Sequence, residues 1–222
     1  MSQATFAPSP EYRFKPAPLV PRYTTSLINR TADFFWERRF GVQTTGNGTP
    51  NPEGETHHYG YLAYHTYFSI LDALELQRTD VVVDLGCGKG RVLCAAATYD
   101  VTEVVGVDID PKMAGIARRN AAAMRSRRSP IRVECLSATD FDYDPVSVIV
   151  MFHPFGPLTM RAVLDRLEAS LARRPRCLRI AYGNPMHSTV LAGMPWLQLM
   201  HTWNPGTWSR HKFPVHFYRT RQ

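Results

Sequence analysis

The chain has 222 residues, of which 44% are hydrophobic and 20% charged. These are the proportions of a globular protein with room for one core and an arm or lid, but not for two full domains. The net charge of +7 keeps acidic or phosphorylated partners open, while no apolar run reaches the roughly 18 residues that cross a bilayer. The first residues, "MSQATFAPSPEYRFKPAPLVPR", hold no apolar stretch of the kind a secretory signal needs, so a cytoplasmic location is expected.

In chain order, residues 1–24 are proline-rich and read as an extended arm. Residues 25–40 place Ile28, Ala32, Phe35 and Trp36 at helical spacing, and Gly41 suits a left-handed helix end. "VQTTGNGTPNPEGET" reads as a loop and candidate lid. Helical spacing resumes over 60–77 through Tyr64, Tyr67, Phe68, Leu71 and Leu74. The chain then alternates: strand 80–85, helix 90–99, strand 103–109, a helix capped by Asp110 with Pro111 at its first position, strand 131–136, strand 146–152, helix 158–172 and strand 177–182. Continuous apolar strands with helices between them indicate a mostly parallel sheet covered on both faces. "WLQLMHTW" and "FPVHFYR" around "NPG" read as a closing antiparallel pair.

The four cysteines are scattered without CxxC spacing, against a clustered zinc site or a disulfide framework. Cys94, Cys135 and Cys177 read as small core residues, and Cys87 as the one placed to touch a ligand. Arginine dominates the basic residues in two clusters: Arg118, Arg119, Arg125, Arg127 and Arg128, then Arg173, Arg174, Arg176 and Arg179. They read as solvated helix faces and helix C-termini, with phosphate contact as the rival reading.

The chemistry concentrates in "VVVDLGCGKGRVL", residues 81–93. Asp84 ends a buried strand, and Gly86, Gly88 and Gly90 allow close backbone approach by a ligand. Asp108 ends the next strand, where a carboxylate accepts from ribose hydroxyls. Arg91 stands where a dinucleotide fingerprint needs its third glycine, and "GCGKGR" lacks the G-K-[ST] of a P-loop. An acid ahead of the glycines repels phosphate and receives a cation. A ribose with a cationic amino-acid tail describes S-adenosylmethionine.

"VVVDLGCGKGRVL" followed by "VVGVDIDP" resembles the class I, seven-stranded, Rossmann-like S-adenosylmethionine-dependent methyltransferases, over roughly residues 60–220. The resemblance implies an α/β fold: a doubly wound, mostly parallel seven-stranded sheet with an antiparallel terminal strand. An N-terminal helical lid would precede it, with residues 1–59 forming arm and lid and 60–222 the cofactor-binding domain. It implies that Asp84, Gly86, Cys87, Gly88 and Gly90 line the methionine half of the cofactor. Asp108 would hold the ribose and Ile109 the adenine face. Ser137 and Ala138 stand where the family often has an acid before Ala.

"MFHPFG" resembles the Asn/Asp-Pro-Pro-aromatic motif of amino-methylating members, with His153 for the Asn. His153 is the catalytic candidate, as orienter or general base, against a plain strand-end cap. Pro154, Phe155, Tyr182, Asn184 and Tyr59 are the acceptor-side candidates, and His57, His58 and His187 lie in the same segments. No histidine pair at i,i+4 supports a metal. The aromatic set Phe34, Phe35, Trp36, Tyr61, Tyr64, Tyr67 and Phe68 reads as helix packing. The leading expectation is methylation of nitrogen, or oxygen, on a small-molecule metabolite. The rivals are a nucleic-acid or protein methyltransferase, a nicotinamide-dependent oxidoreductase, and a non-catalytic cofactor-binding partner.

Overall fold

The computed structural model describes residues 25–46, 61–204 and 213–221. The proline-rich arm, Tyr59, His57 and His58, and most of the "NPG" connection lie outside the described residues. Helices α1 (Thr25–Phe40) and α2 (Tyr64–Ala73) precede an alternating series: β1 (Val81–Leu85), α3 (Arg91–Ala96), β2 (Glu103–Asp108), α4 (Pro111–Ala123), β3 (Ile131–Cys135), β4 (Val148–Phe152), α5 (Pro157–Arg173), β5 (Arg179–Gly183), α6 (Ser188–Ala192), β6 (Leu197–Trp203) and β7 (Val215–Thr220).

The seven strands form one sheet in the order β3-β2-β1-β4-β5-β7-β6. The first five in that order run parallel, and β7 pairs antiparallel with both β5 and β6. Central β1 is buried throughout, as its all-apolar run before Asp84 requires. One face carries α1 to α4 around Phe40, Tyr64, Leu71 and Leu93, and the other carries α5 and α6 around Leu164, Leu167 and Leu191. The order reverses at β1, flanked by β2 on one side and β4 on the other. That reversal opens a crevice beyond the strands' carboxyl ends.

Local devices set these elements. Asp110 caps α4 by accepting from the Lys112 and Met113 N–H groups, with Pro111 at the first position. Gly41 ends α1 at φ 72°, its N–H and that of Val42 both donating to Glu37 O. Phe35 was expected on the inward stripe of α1 but is 59% exposed, because Asp33, Glu37 and Phe40 take the inner face. Of the cysteines, Cys135 and Cys177 are exposed and only Cys87 and Cys94 are buried, since β3 lies at the sheet edge and Cys177 precedes β5.

Candidate functional site

The glycine turn is fastened to the end of β2. Gly86 N–H and Cys87 N–H both donate to Val107 O, at 2.8 and 3.0 Å, and Gly88 N–H donates to Asp108 Oδ2 at 2.7 Å. Asp108 Oδ1 accepts from Asp110 N–H at 2.9 Å. Each carboxylate oxygen is therefore aimed by one backbone donor and keeps a lone pair for a further hydroxyl. The turn needs glycine at Gly86, which has φ 73° and where a Cβ would lie 2.7 Å from Pro154 Cβ. Pro154 thus stands directly across the crevice from the turn, joining the β4 tip to the β1 tip.

Cys87 contributes backbone rather than side chain. Its thiol packs into the core, and a Cβ on Gly106 would meet Cys87 Sγ at 2.8 Å and Leu93 Cδ1 at 2.6 Å. Burial pushes the thiol well above its ordinary value, with Asp84 and Asp108 adding to the rise. Asp84 itself is buried; loss of water holds its carboxyl well above the carboxylate range, and the neighbouring Asp108 raises it further. Burial also raises Asp108, opposed by the Asp110 and Gly88 N–H groups. A pair of acids held high in a crevice is an environment that a cation relieves.

Past β2, Ile109 is 53% exposed and offers a flat apolar surface beside Asp108. Ser137 Oγ bonds Thr139 Oγ1 at 2.8 Å and accepts from Thr139 N–H. Ala138 is buried, and its carbonyl accepts from Tyr143 Oη at 2.8 Å.

On the acceptor side, His153 follows β4 at φ 43°, a left-handed backbone that side chains disfavour. Its ring lies 5.2 Å from that of His187, tilted by 40°. Asn184 is also left-handed, at φ 50°, and its N–H donates to Pro214 O at 2.9 Å. Phe155 and Tyr182 sit in the core beneath the crevice; Tyr182 is fully buried, and its hydroxyl accepts from His187 N–H at 3.3 Å.

A layer of residues that the sequence reading passed over ties α1 to the glycine turn. Arg91, with a side chain only 2% exposed, pairs with Asp33 at 2.7 Å and Glu37 at 3.4 Å, and lies over the rings of Tyr61 and Tyr64. Glu37 Oε1 accepts from Thr44 N–H, Thr44 Oγ1 and Thr45 N–H, and Oε2 accepts from Thr45 Oγ1. Lys89 Nζ, from the turn, donates to the carbonyls of Thr45 and Gly46. Asn120 of α4 donates to Gln43 O and Lys89 O and accepts from Gln43 N–H. The sequence signal for this layer was the Asp33–Glu37 spacing, which puts two acids on a helix face that Phe40 continues inward.

These residues fit S-adenosylmethionine. A glycine turn that excludes a Cβ at Gly86 meets an aimed acid at the ribose position. A second, buried acid stands before the glycines, and an apolar surface borders the adenine position. Among the described residues, no cluster of His, Cys, Asp and Glu could hold a metal ion.

Comparison with known proteins agrees with this geometry. Residues 82–174 match the family model described as a methyltransferase domain. A ribosomal protein L11 methyltransferase from Ectopseudomonas mendocina is 28% identical over 156 residues, 61% of this chain and 53% of that protein. An rRNA N6-adenosine methyltransferase from Caenorhabditis elegans is 34% identical over 34% of this chain and 37% of its own. The chain thus spans about half the length, or less, of these curated relatives. Among solved structures, magnesium protoporphyrin IX methyltransferase from Synechocystis superposes with a TM-score of 0.53 at 16% identity, over 89% of this chain and 97% of that one. The ribosomal protein L11 methylase from Lactobacillus delbrueckii gives a TM-score of 0.52 at 17% identity, over 71% and 79%. Residues 82–174 thus match a methyltransferase domain, and the strand order and paired acidic strand tips are similar to those of the class I, Rossmann-like S-adenosylmethionine-dependent methyltransferases.

Proposed function

We propose that the protein methylates a nitrogen nucleophile of a small-molecule acceptor presented at the β4 tip, with S-adenosylmethionine as donor. The observation carrying this reading is the meeting of two strand tips: Gly86 of the glycine turn faces Pro154 of "HPF", so donor cradle and acceptor tip share one crevice. Asp84 and the backbone of residues 86–90 would hold the amino-acid end, Asp108 the ribose, and Ile109, Ser137 and Ala138 the adenine side. When bound, the cofactor supplies a methyl group on a sulfonium, with S-adenosylhomocysteine as its leaving group. The chain's own work is alignment and exclusion of water. His153 orients the acceptor nitrogen by accepting its hydrogen bond and takes the proton the nitrogen gives up. Asn184 acts through its backbone, fixing the β7 entry beside the tip, and Pro154 narrows the crevice. An oxygen acceptor would use the same imidazole as base.

A second reading, a macromolecular acceptor, is favoured by the L11 and rRNA methyltransferases among the relatives. Transfer of a labelled methyl group from S-adenosylmethionine to a deproteinised metabolite extract, an RNA pool and ribosomal protein separates the two. Label in the small-molecule fraction supports the first reading; label confined to RNA or protein replaces it with the second.

A further inference from the structure

The aromatic ring expected at the acceptor, Phe155, is buried in the core, yet the tips of β4 and β7 hold a pair of aromatic rings that the motif does not mark. Phe152, the last residue of β4, lies across Gly183 of β5; a Cβ on Gly183 would stand 2.7 Å from Phe152 Cδ2, so the ring occupies the space glycine leaves. Against it stands Phe213, 38% exposed, with centroids 5.4 Å apart and planes at 75°. Phe213 is held by its neighbours: Pro214 O accepts from Asn184 N–H, and Val215 pairs with Gly183. The two rings stand nearly at right angles at the tips of β4 and β7, where His153 follows β4 and His187 follows β5. His187 Nε2 is buried there, with no hydrogen-bond partner among the described residues.

Residues 152–160, 183–190 and 213–215 contain no Asp, Glu, Lys or Arg, while Leu158 and Met186 are 76% and 66% exposed. A ring gains from an edge or face contact on such a corner, and these three segments supply no carboxylate of their own to a charged aliphatic amine.

We propose that Phe152 and Phe213 are specificity-determining residues that select a flat, uncharged nitrogen heterocycle, its polar edge turned to His153 and His187. The inference rests on the methyltransferase reading above and names its acceptor class. Such a ring can be free or part of a polynucleotide.

Saturation-transfer NMR on the full chain, saturated with S-adenosylhomocysteine to block the adenine position, tests it. The probes are nicotinamide and adenosine as flat rings, cyclohexanecarboxamide as a neutral saturated counterpart, and a short oligoadenylate. Nicotinamide and adenosine are expected to bind at least fivefold more tightly than cyclohexanecarboxamide. Phe213→Ala, at an exposed position, is expected to erase that preference and Phe213→Trp to keep it. Gly183→Ala, which displaces the Phe152 ring, is expected to weaken the flat probes while S-adenosylhomocysteine affinity stays within twofold. Oligoadenylate binding tighter than adenosine places the ring in RNA; equal binding places it in a free metabolite. Equal affinity for flat and saturated probes, or a preference that survives Phe213→Ala, overturns the proposal. Failure of S-adenosylhomocysteine to bind the unaltered chain instead overturns the reading beneath it, and the proposal with it.

Discussion

Asp84 is the residue whose chemistry most constrains the site. Its carboxyl is held high by burial and by Asp108, so before ligand binds it keeps a proton more readily than an exposed acid. Receiving a cationic amine requires the ionised form. Affinity for S-adenosylhomocysteine should therefore be full above the raised value and fall as pH drops through it, with proton release on binding. Calorimetry in two buffers of unlike ionisation heat measures that proton; pH-independent affinity without release would remove Asp84 from the site. The sign for the ligand-free protein is opposite. An acid raised by burial favours the fold below its folded value, and that contribution is lost as pH rises through it. His153 poses a different question, because its left-handed backbone costs about 1–3 kcal/mol in a non-glycine residue. His153→Gly should fold at least as stably by chemical denaturation while turnover drops a hundredfold or more. A destabilised variant with unchanged turnover would make the imidazole a strand cap only.

Among the elements, α1 is bound to the glycine turn through a buried ion pair rather than laid over it. Arg91→Met would leave Asp33 and Glu37 buried without their cation and should cost about 3–5 kcal/mol in denaturant unfolding, far beyond a surface exchange. Asn120→Ala, which loses three bonds joining Gln43 to Lys89, should weaken S-adenosylhomocysteine binding with a smaller stability loss of about 1–3 kcal/mol. A loss below 1 kcal/mol for Arg91→Met would show that α1 does not depend on the pair. The contrast with what the sequence revealed is physical. Strands β1 and β2 were legible because each is an apolar run with an acid at or near its end, and α4 because Asp110 and Pro111 mark its start. The cofactor cradle was legible because glycine spacing is a local backbone demand. Arg91 was not, since its partners lie 54 and 58 positions earlier and no local period encodes them. The acceptor wall escaped for the same reason: Phe152 and Phe213 meet only through β5–β7 pairing, and the motif pointed instead to Phe155.

For the whole molecule, the +7 charge overstates the surface available to an anion. Arg173 and Arg174 pair with Asp144, Arg176 donates to the carbonyls of Tyr143, Val146 and Arg174, and Arg179 is buried against Asp80 and the carbonyls of Leu74 and Glu75. Arg176 and Arg179 of the second cluster thus serve the fold, while all five arginines of the first, Arg118, Arg119, Arg125, Arg127 and Arg128, are exposed, Arg118 and Arg127 donating to the carbonyls of Val133 and Ala121. RNA binding, measured by gel shift across a salt series, should accordingly be modest, with a slope of at most about five released ions. A slope of six or more would favour the macromolecular acceptor. No helix among the described residues is long and apolar enough to cross a membrane. The claim on which the rest depends is that the two acidic strand tips grip a nucleosyl sulfonium or its product, and thermal unfolding with added ligand measures it most directly. S-adenosylhomocysteine at one hundred times its Kd should stabilise the chain by about 2.7 kcal/mol, NAD at the same concentration should leave Tm unchanged, and Asp108→Ala should abolish the shift. Stabilisation by NAD, or a full S-adenosylhomocysteine shift in Asp108→Ala, would contradict it.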